Sequence, residues 1–377
     1  MDSWLVTLSL FVGALGAFYI FLIWNLGSWK KRGVPEAKSY PGIGTFPSLF
    51  TQKRNVVYDY DEVYRQYRST NKFVGVYNGR EPQLFILDPD LVHRIHVNDF
   101  KHFHDNALSD TIDEKSDAIV GNNPFFLRGE EWKERRNELV PGMSPNRIKN
   151  VYPVTLEICK RLTDFIRQQA GEQNNNGIGA YELFLRYTTE VLARNPRAQE
   201  KLREEILSNI NEEGFVSFES LSEMPYLDAC FNEAIRLFSP LSANTKLCTQ
   251  PYEFVNSDGT SFQMKKGEIV FISYRSIHHD ERYYKNPEEY IPERFLPENG
   301  GVKKFREEGK YLGFGDGPRI CMGMRFGATQ AKAAIVEIIR NFHVKVNSKT
   351  SNDNLLDKHE IVAVLDGGIW LDFTPIN

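Results

Sequence analysis

Cysteine is scarce in this sequence: Cys159, Cys230, Cys248 and Cys321 are the only four in 377 residues. No two stand close enough to form a zinc knuckle or a CxxC redox pair, and four in so long a chain do not build a disulfide scaffold. The first three read as free thiols of a reducing compartment. A basic excess is also missing. The formal net charge of −4 argues against a general attraction to anionic surfaces, nucleic acid included. Internal repeats are absent, and the one low-complexity patch, Gly171 to Gly179, reads as a surface loop. Apolar residues are plentiful. The hydrophobic fraction is 41% and the charged fraction 25%, the balance of a chain that buries a sizeable core. The length suits one large domain or two ordinary ones.

Charge is absent from Ser3 to Trp29. As a helix the apolar run from Trp4 to Leu26 is about 34 Å long, enough to cross a bilayer core. A cleaved signal peptide starts with positive charge and has a shorter apolar run. Here Asp2 stands at the start, and Lys30, Lys31 and Arg32 come afterwards, so a retained anchor is the better reading. The positive-inside rule then places everything from Lys30 onward in the cytosol. Residues 30–47 hold several prolines and glycines, which predicts a stiff non-helical hinge. The body is residues 48–377.

Residues 55–68 look helical and 129–139 read as a charged helix, while 148–169 and 181–193 carry helical periodicity. Asn195-Pro196 is a helix-start signal, with Asn as cap, for a helix to about 210. Pro225 opens another, over 226–238. Strands are expected at 73–76 and 84–87, with Asn78-Gly79 as a turn between the two. More are expected near 254, 262–264 and 269–272. The last clear helix is expected from near Cys321 to Phe342, and 360–373 reads as a terminal hairpin around Gly367-Gly368. The class is mainly α, of α+β type with small separate sheets.

The most informative stretch is Phe314-Gly315-Asp316-Gly317-Pro318-Arg319-Ile320-Cys321-Met322-Gly323. It is a glycine-rich loop ending in a cysteine at an expected helix start. A helix N-terminus favours the thiolate, so Cys321 reads as a nucleophile, a redox sensor or a metal ligand. No histidine partner marks it as a nucleophile, and no Lys-Ser/Thr ending marks the loop as a phosphate binder. The loop resembles the haem-binding signature of the cytochromes P-450, FxxGxRxCxG. Phe314, Gly317, Arg319, Cys321 and Gly323 match it, as does the frequent extra glycine at 315. A chance match of that kind is on the order of one in a hundred thousand at average composition, which leaves a mere turn as a weak reading.

The resemblance implies a haem-thiolate monooxygenase. Cys321 would be the axial iron ligand, Phe314 would shield its sulfur, and Arg319 would reach a haem propionate. Glu233 and Arg236 on one helix, alone an ordinary ion pair, match the family's ExxR. Pro292-Glu293-Arg294-Phe295 matches its PERF segment, and the resemblance joins Glu233, Arg236 and Arg294 into a structural cluster. Trp132 and Arg136 match the WxxxR pair at a propionate. Lys246 stands where many members carry a propionate-binding Arg, keeping the charge without the fork. The resemblance further implies haem b, and NADPH and flavins acting through a flavoprotein reductase. It also implies a lipophilic substrate facing 104–126, 240–245 and 367–370, and an endoplasmic reticulum membrane address. Lys133, Arg135, Lys303, Lys304, Arg306 and Lys310 are candidates for reductase docking. His102 and His104 are assigned no role.

The likeness spans nearly the whole chain, is strongest to membrane-bound insect members, and breaks once. Members are longer, by roughly a quarter for a single large domain. Between Trp132 and Glu233 they carry a run of helices, one of which crosses the distal face of the haem with the motif AGx[DE]T. The only Ala-Gly step followed by an acid here is Ala170-Gly171-Glu172, with no Thr after it. The expectation is an internal deletion at about Val191/Leu192, from exon skipping or a faulty gene model. It would leave the pocket without its roof and expose apolar surface. An inactive truncated isoform with weak or no haem binding is the alternative.

Overall fold

The computed structural model describes residues 3–112, 117–172, 177–179, 186–351, 353, 355–360 and 362–376. Its apolar helix, Ser3–Ile23, carries no charge, and the span Trp4–Ile23 is long enough to cross a membrane and has no residue buried in the rest of the protein; its end, at Phe21 and Leu22, touches the body through Arg80 and Gly42. Residues after it grip the body. Trp29 is buried against Gly75, where an added Cβ would stand 2.2 Å from the indole, so only glycine fits. Arg32 pairs with Glu268 at 2.6 Å and lies over the rings of Trp29 and Phe262. The hinge adds backbone bonds from Gly75 N to Pro35 O (2.7 Å) and from Thr45 N to Tyr77 O (2.8 Å).

One half of the body is built on a five-stranded sheet. Its order is Phe73–Asn78, Glu81–Ile86, Ile269–Ser273, Ala243–Leu247 and Asp105–Asn106. The second and third strands are parallel and the other pairs antiparallel. Phe73 to Tyr77 is buried at every position, which is why it reads as a continuous apolar run instead of an alternating one. The other half is helical. Pro145–Glu172, Pro196–Ser208, Pro225–Leu237 and Met324–Asn341 bury Ile166, Leu202, Ile206, Leu227, Ile335 and Ile339 in one core. The Glu205 carboxylate accepts from Tyr226 N and Leu227 N, both at 2.8 Å, and so caps Pro225–Leu237 from a neighbouring helix. On the first long helix Val151, Val154, Ile158 and Phe165 stay exposed. The segment Leu312–Gly323 lies between the halves: Leu312 packs into the sheet core and Phe314 against the helical one.

Several expectations need correction. The last helix begins at Met324, three residues beyond Cys321, because Met322-Gly323 turn first. The C-terminal strand, Trp370–Pro375, is not half of a local hairpin; it pairs antiparallel with Phe342–Val346, whose apolar face needs that cover. The expected helix over 148–169 runs from Pro145 to Glu172 with Pro153 inside it. Asn195 does not cap with its side chain: Nδ2 turns back to donate to Val191 O at 2.7 Å. The strand Ala243–Leu247 went unforeseen, because its polar residues give no β-rich run. Residues 173–176, 181–185 and 361, parts of the loop, helix and hairpin expected there, lie outside the described residues.

Candidate functional site

The cysteine loop is fixed by its own backbone. Gly315 N donates to Leu312 O (2.9 Å), Ile320 N to Gly317 O (3.0 Å) and Cys321 N to Phe314 O (2.8 Å). Gly317 has φ +66°, and a Cβ there would lie 1.9 Å from the His96 carbonyl oxygen. Asp316 accepts from Gly317 N at 2.8 Å and faces His93 Nδ1 at 2.9 Å. These contacts bind the loop to the start of the sheet half. Of the four thiols only Cys321 is exposed. Burial pushes Cys159 up to about 12 and Cys248 up to about 11, and it raises Cys230 too. Those three are inert packing residues.

Cys321 lines a cavity of about 470 Å³. Trp132, Arg136, Lys246, Phe314, Arg319 and Gly323 line it as well. All seven residues singled out for cofactor and iron therefore converge on one space. Arg319 is nearly saturated. It donates to His104 O (2.7 Å), Pro124 O (3.1 Å), Leu127 O (2.9 Å) and Asp105 Oδ1 (3.1 Å). That uses four of its five N–H groups. Burial pushes it down to about 10 against the pull of Asp105. Arg136 donates to Ile320 O at 3.1 Å, and burial lowers it, with the charge of Cys321 opposing. Lys246 is 1% exposed and donates to Asn106 Oδ1 at 2.9 Å. Burial above all, then Arg319, pushes it down to about 7.

Below the loop sits the ionic cluster. Glu233 and Arg236 are both fully buried and pair at 2.7 Å, and Arg294 reaches Glu233 at 3.1 Å. Arg236 also donates to His278 O, Pro287 O and Glu289 O, while Glu233 accepts from Ile291 N at 3.0 Å. The two motifs thus tie helix to coil. Within the described part of the expected substrate-facing stretches, Asn106, Asn123, Pro124, Phe125, Pro240, Leu241 and Asn244 line the cavity; Gly367 to Trp370 do not. His104 pairs with Asp105 and His102 lies 3.4 Å from Gln250 O. His96 and Tyr274 at the site were missed, and Asp105 and Asn106 fell within the expected stretch 104–126 without a role of their own: isolated polar residues with no motif spacing give no sequence signal.

The residues present fit an iron porphyrin with two carboxylates. The exposed thiol can ligate a metal. Arg136 and Arg319 set two cations on the wall, the buried amine of Lys246 stands beside them, and Asp316 is the carboxylate lining the same space among the described residues. A Cβ on Gly315 or Gly323 would meet nothing within 4 Å, so space is open beside the sulfur.

Known proteins agree. The family model described as Cytochrome P450 matches residues 35–193 and 185–370. The chain is 38% identical to the probable cytochrome P450 28d1 of Drosophila melanogaster, over 99% of each chain. It is 34% identical to the probable cytochrome P450 28a5 of the same fly, over 99% of this chain and 100% of that one. Cytochrome P450 6A1 of Musca domestica is 25% identical over 97% of each. The alignment with the first extends over 504 residues where this chain has 377, so this chain is the shorter. By both the family model and these relatives, the chain belongs to the cytochrome P450 family, whose members are haem monooxygenases.

Proposed function

We propose that this chain is a membrane-anchored haem-thiolate monooxygenase that has lost the segment roofing its pocket, with the join at about Val191/Leu192. The observation that carries the first half is the convergence of Cys321, Arg136, Lys246 and Arg319 on one cavity beside Trp132. Haem b, when bound, supplies activation of dioxygen for insertion of one oxygen atom into a substrate. The chain's own residues do the rest. Cys321 holds the iron, Phe314 limits water at the sulfur, and Arg136, Lys246 and Arg319 orient the carboxylates. Glu233, Arg236 and Arg294 keep the coil beneath the loop in place. Three observations support the lost segment. The family-model match falls into two pieces that overlap at 185–193. Among the described residues none from 137 to 239 lines the cavity. Thr189 Oγ1 and Glu190 Oε2, both buried beside the join, have no partner.

The substrate is a lipophilic small molecule, xenobiotic, steroid-like or fatty-acid-like, in line with the family. Electrons come from NADPH through a flavoprotein reductase. The exposed Lys133 and Lys303 support its docking, although each already pairs with a neighbouring Glu. Three units follow: residues 3–29 as anchor, 30–47 as hinge and 48–377 as the haem body. The apolar, unburied helix Ser3–Ile23 supports an endoplasmic reticulum membrane with the body in the cytosol.

The reduced, carbon-monoxide-bound spectrum of the chain expressed with haem tests this reading. A strongly red-shifted Soret band, lost in Cys321→Ser, is the expected result. Absence of that band would establish the alternative, an inactive truncated isoform, which the open cavity and the two unpartnered buried atoms favour.

A further inference from the structure

Arg136 and Lys246 line the cavity without an ion pair among the described residues. Lys246 is the more deeply buried, and Asn106 Oδ1 takes one of its three N–H groups. Two remain for a ligand. Among the described residues no carboxylate forms an ion pair with it: Asp105 turns its Oδ1 to Arg319, His104 Nδ1 and Gly129 N, and acts on Lys246 only through space. An ammonium in such a place loses its proton readily, and a carboxylate brought alongside restores it.

We propose that Lys246 couples haem capture to proton uptake: an arriving haem carboxylate draws one proton from solvent onto this buried amine and forms an ammonium–carboxylate pair with it. This rests on the haem-thiolate reading above. The balance is one amine and one proton giving one ammonium, with no electrons moved. The depressed value of about 7 agrees with the geometry. Every charged or titratable group around Lys246 enters the balance. Arg319 opposes its charge and Asp105 supports it. His96 is buried, pushed down to about 3, and stays neutral. Asp316 faces His93. Cys321 releases a proton when it binds iron, an effect of opposite sign that no substitution at 246 removes.

The sign follows. Haem favours protonated Lys246, so affinity is highest below the amine's midpoint. Above that it falls by about tenfold per pH unit until the bound form titrates. The test is haem titration of the full-length apo protein in detergent from pH 6 to 9, read by quenching of tryptophan fluorescence. Wild type is compared with Lys246→Arg, which stays charged, and Lys246→Gln, which stays neutral. The affinity ratio of the Arg variant to wild type should climb by about tenfold per pH unit above neutrality. The advantage of wild type over the Gln variant should vanish across the same range. A pH indicator in weak buffer should register proton uptake in wild type beyond that in either variant. Parallel profiles for all three proteins with haem bound would overturn the coupling and leave the haem reading standing. No saturable binding in any of them would overturn the haem reading and this inference with it.

Discussion

Arg319 lies over the ring of Trp132, its guanidinium carbon 4.2 Å from the ring centre. That arginine also ties four acceptors together, from His104 to Leu127. The signature arginine therefore anchors the 104–127 segment to the cysteine loop, beyond any contact with a haem carboxylate. Arg319→Lys keeps the charge but loses the fork, leaving buried carbonyls unpaired at about 1–3 kcal/mol each. It should lower the urea midpoint of the apo protein as well as haem affinity. Lower haem affinity at unchanged apo stability would show the anchoring role to be negligible.

Gly317 and Gly315 share a left-handed backbone but differ in surroundings. At Gly315 (φ +73°) a Cβ meets nothing, whereas at Gly317 it would strike the His96 carbonyl. Gly315→Ala should cost only the backbone strain, about 1–2 kcal/mol. Gly317→Ala adds a clash that backbone must move to relieve, and should lose haem altogether when purified. Equal haem content in the two variants would sink this distinction.

Much of this site was legible because its chemistry is local in sequence. The cysteine loop, the Glu233–Arg236 spacing and the Trp132–Arg136 spacing each fall within a dozen residues, so their motifs survive in one dimension. The partners of those groups do not. Asp105 reaches Arg319 across more than two hundred positions, and Asn106 reaches Lys246 across 140. A lone Asp or Asn carries no spacing to betray such a contact. The fold shows the same division. A helix with a clear period, Pro225–Leu237, appears where expected, as does the charged helix Gly129–Leu139. The strand Ala243–Leu247 exists because it fills the gap between Ile269–Ser273 and Asp105–Asn106, a tertiary reason absent from its composition.

Glu233 and Arg236 are fully buried and mutually satisfied, so the pair is more informative when broken than when counted. Glu233→Gln leaves two guanidinium groups facing a neutral amide in a dry site. The expected loss is about 3–5 kcal/mol, measured by urea unfolding of the body. A double change of Glu233 and Arg236 to Gln and Met should recover part of that loss, because removing both charges also removes their desolvation. A double variant no more stable than Glu233→Gln would contradict this account.

Glu190 sits at the proposed join with 0% of its surface exposed. One oxygen pairs with Arg194 and the other has no partner. Burial raises its carboxyl above the ordinary range, with Arg194 opposing. A raised folded value contributes stability that is full below the unfolded value, about 4.3 for Glu, and is lost as pH rises through the folded one. At neutral pH the ionised group is therefore a liability. Arg194 is partly exposed and also donates to Ser351 O, so it tolerates loss of its partner. Glu190→Gln should stabilise the protein at pH 7 by on the order of 1 kcal/mol and flatten its decline from pH 4 upward. Thermal unfolding of both proteins at pH 4, 5.5 and 7 reads this directly. A variant less stable than wild type at pH 7 would mean that the Arg194 pair outweighs burial, and that the join is better packed than its unpartnered oxygen implies.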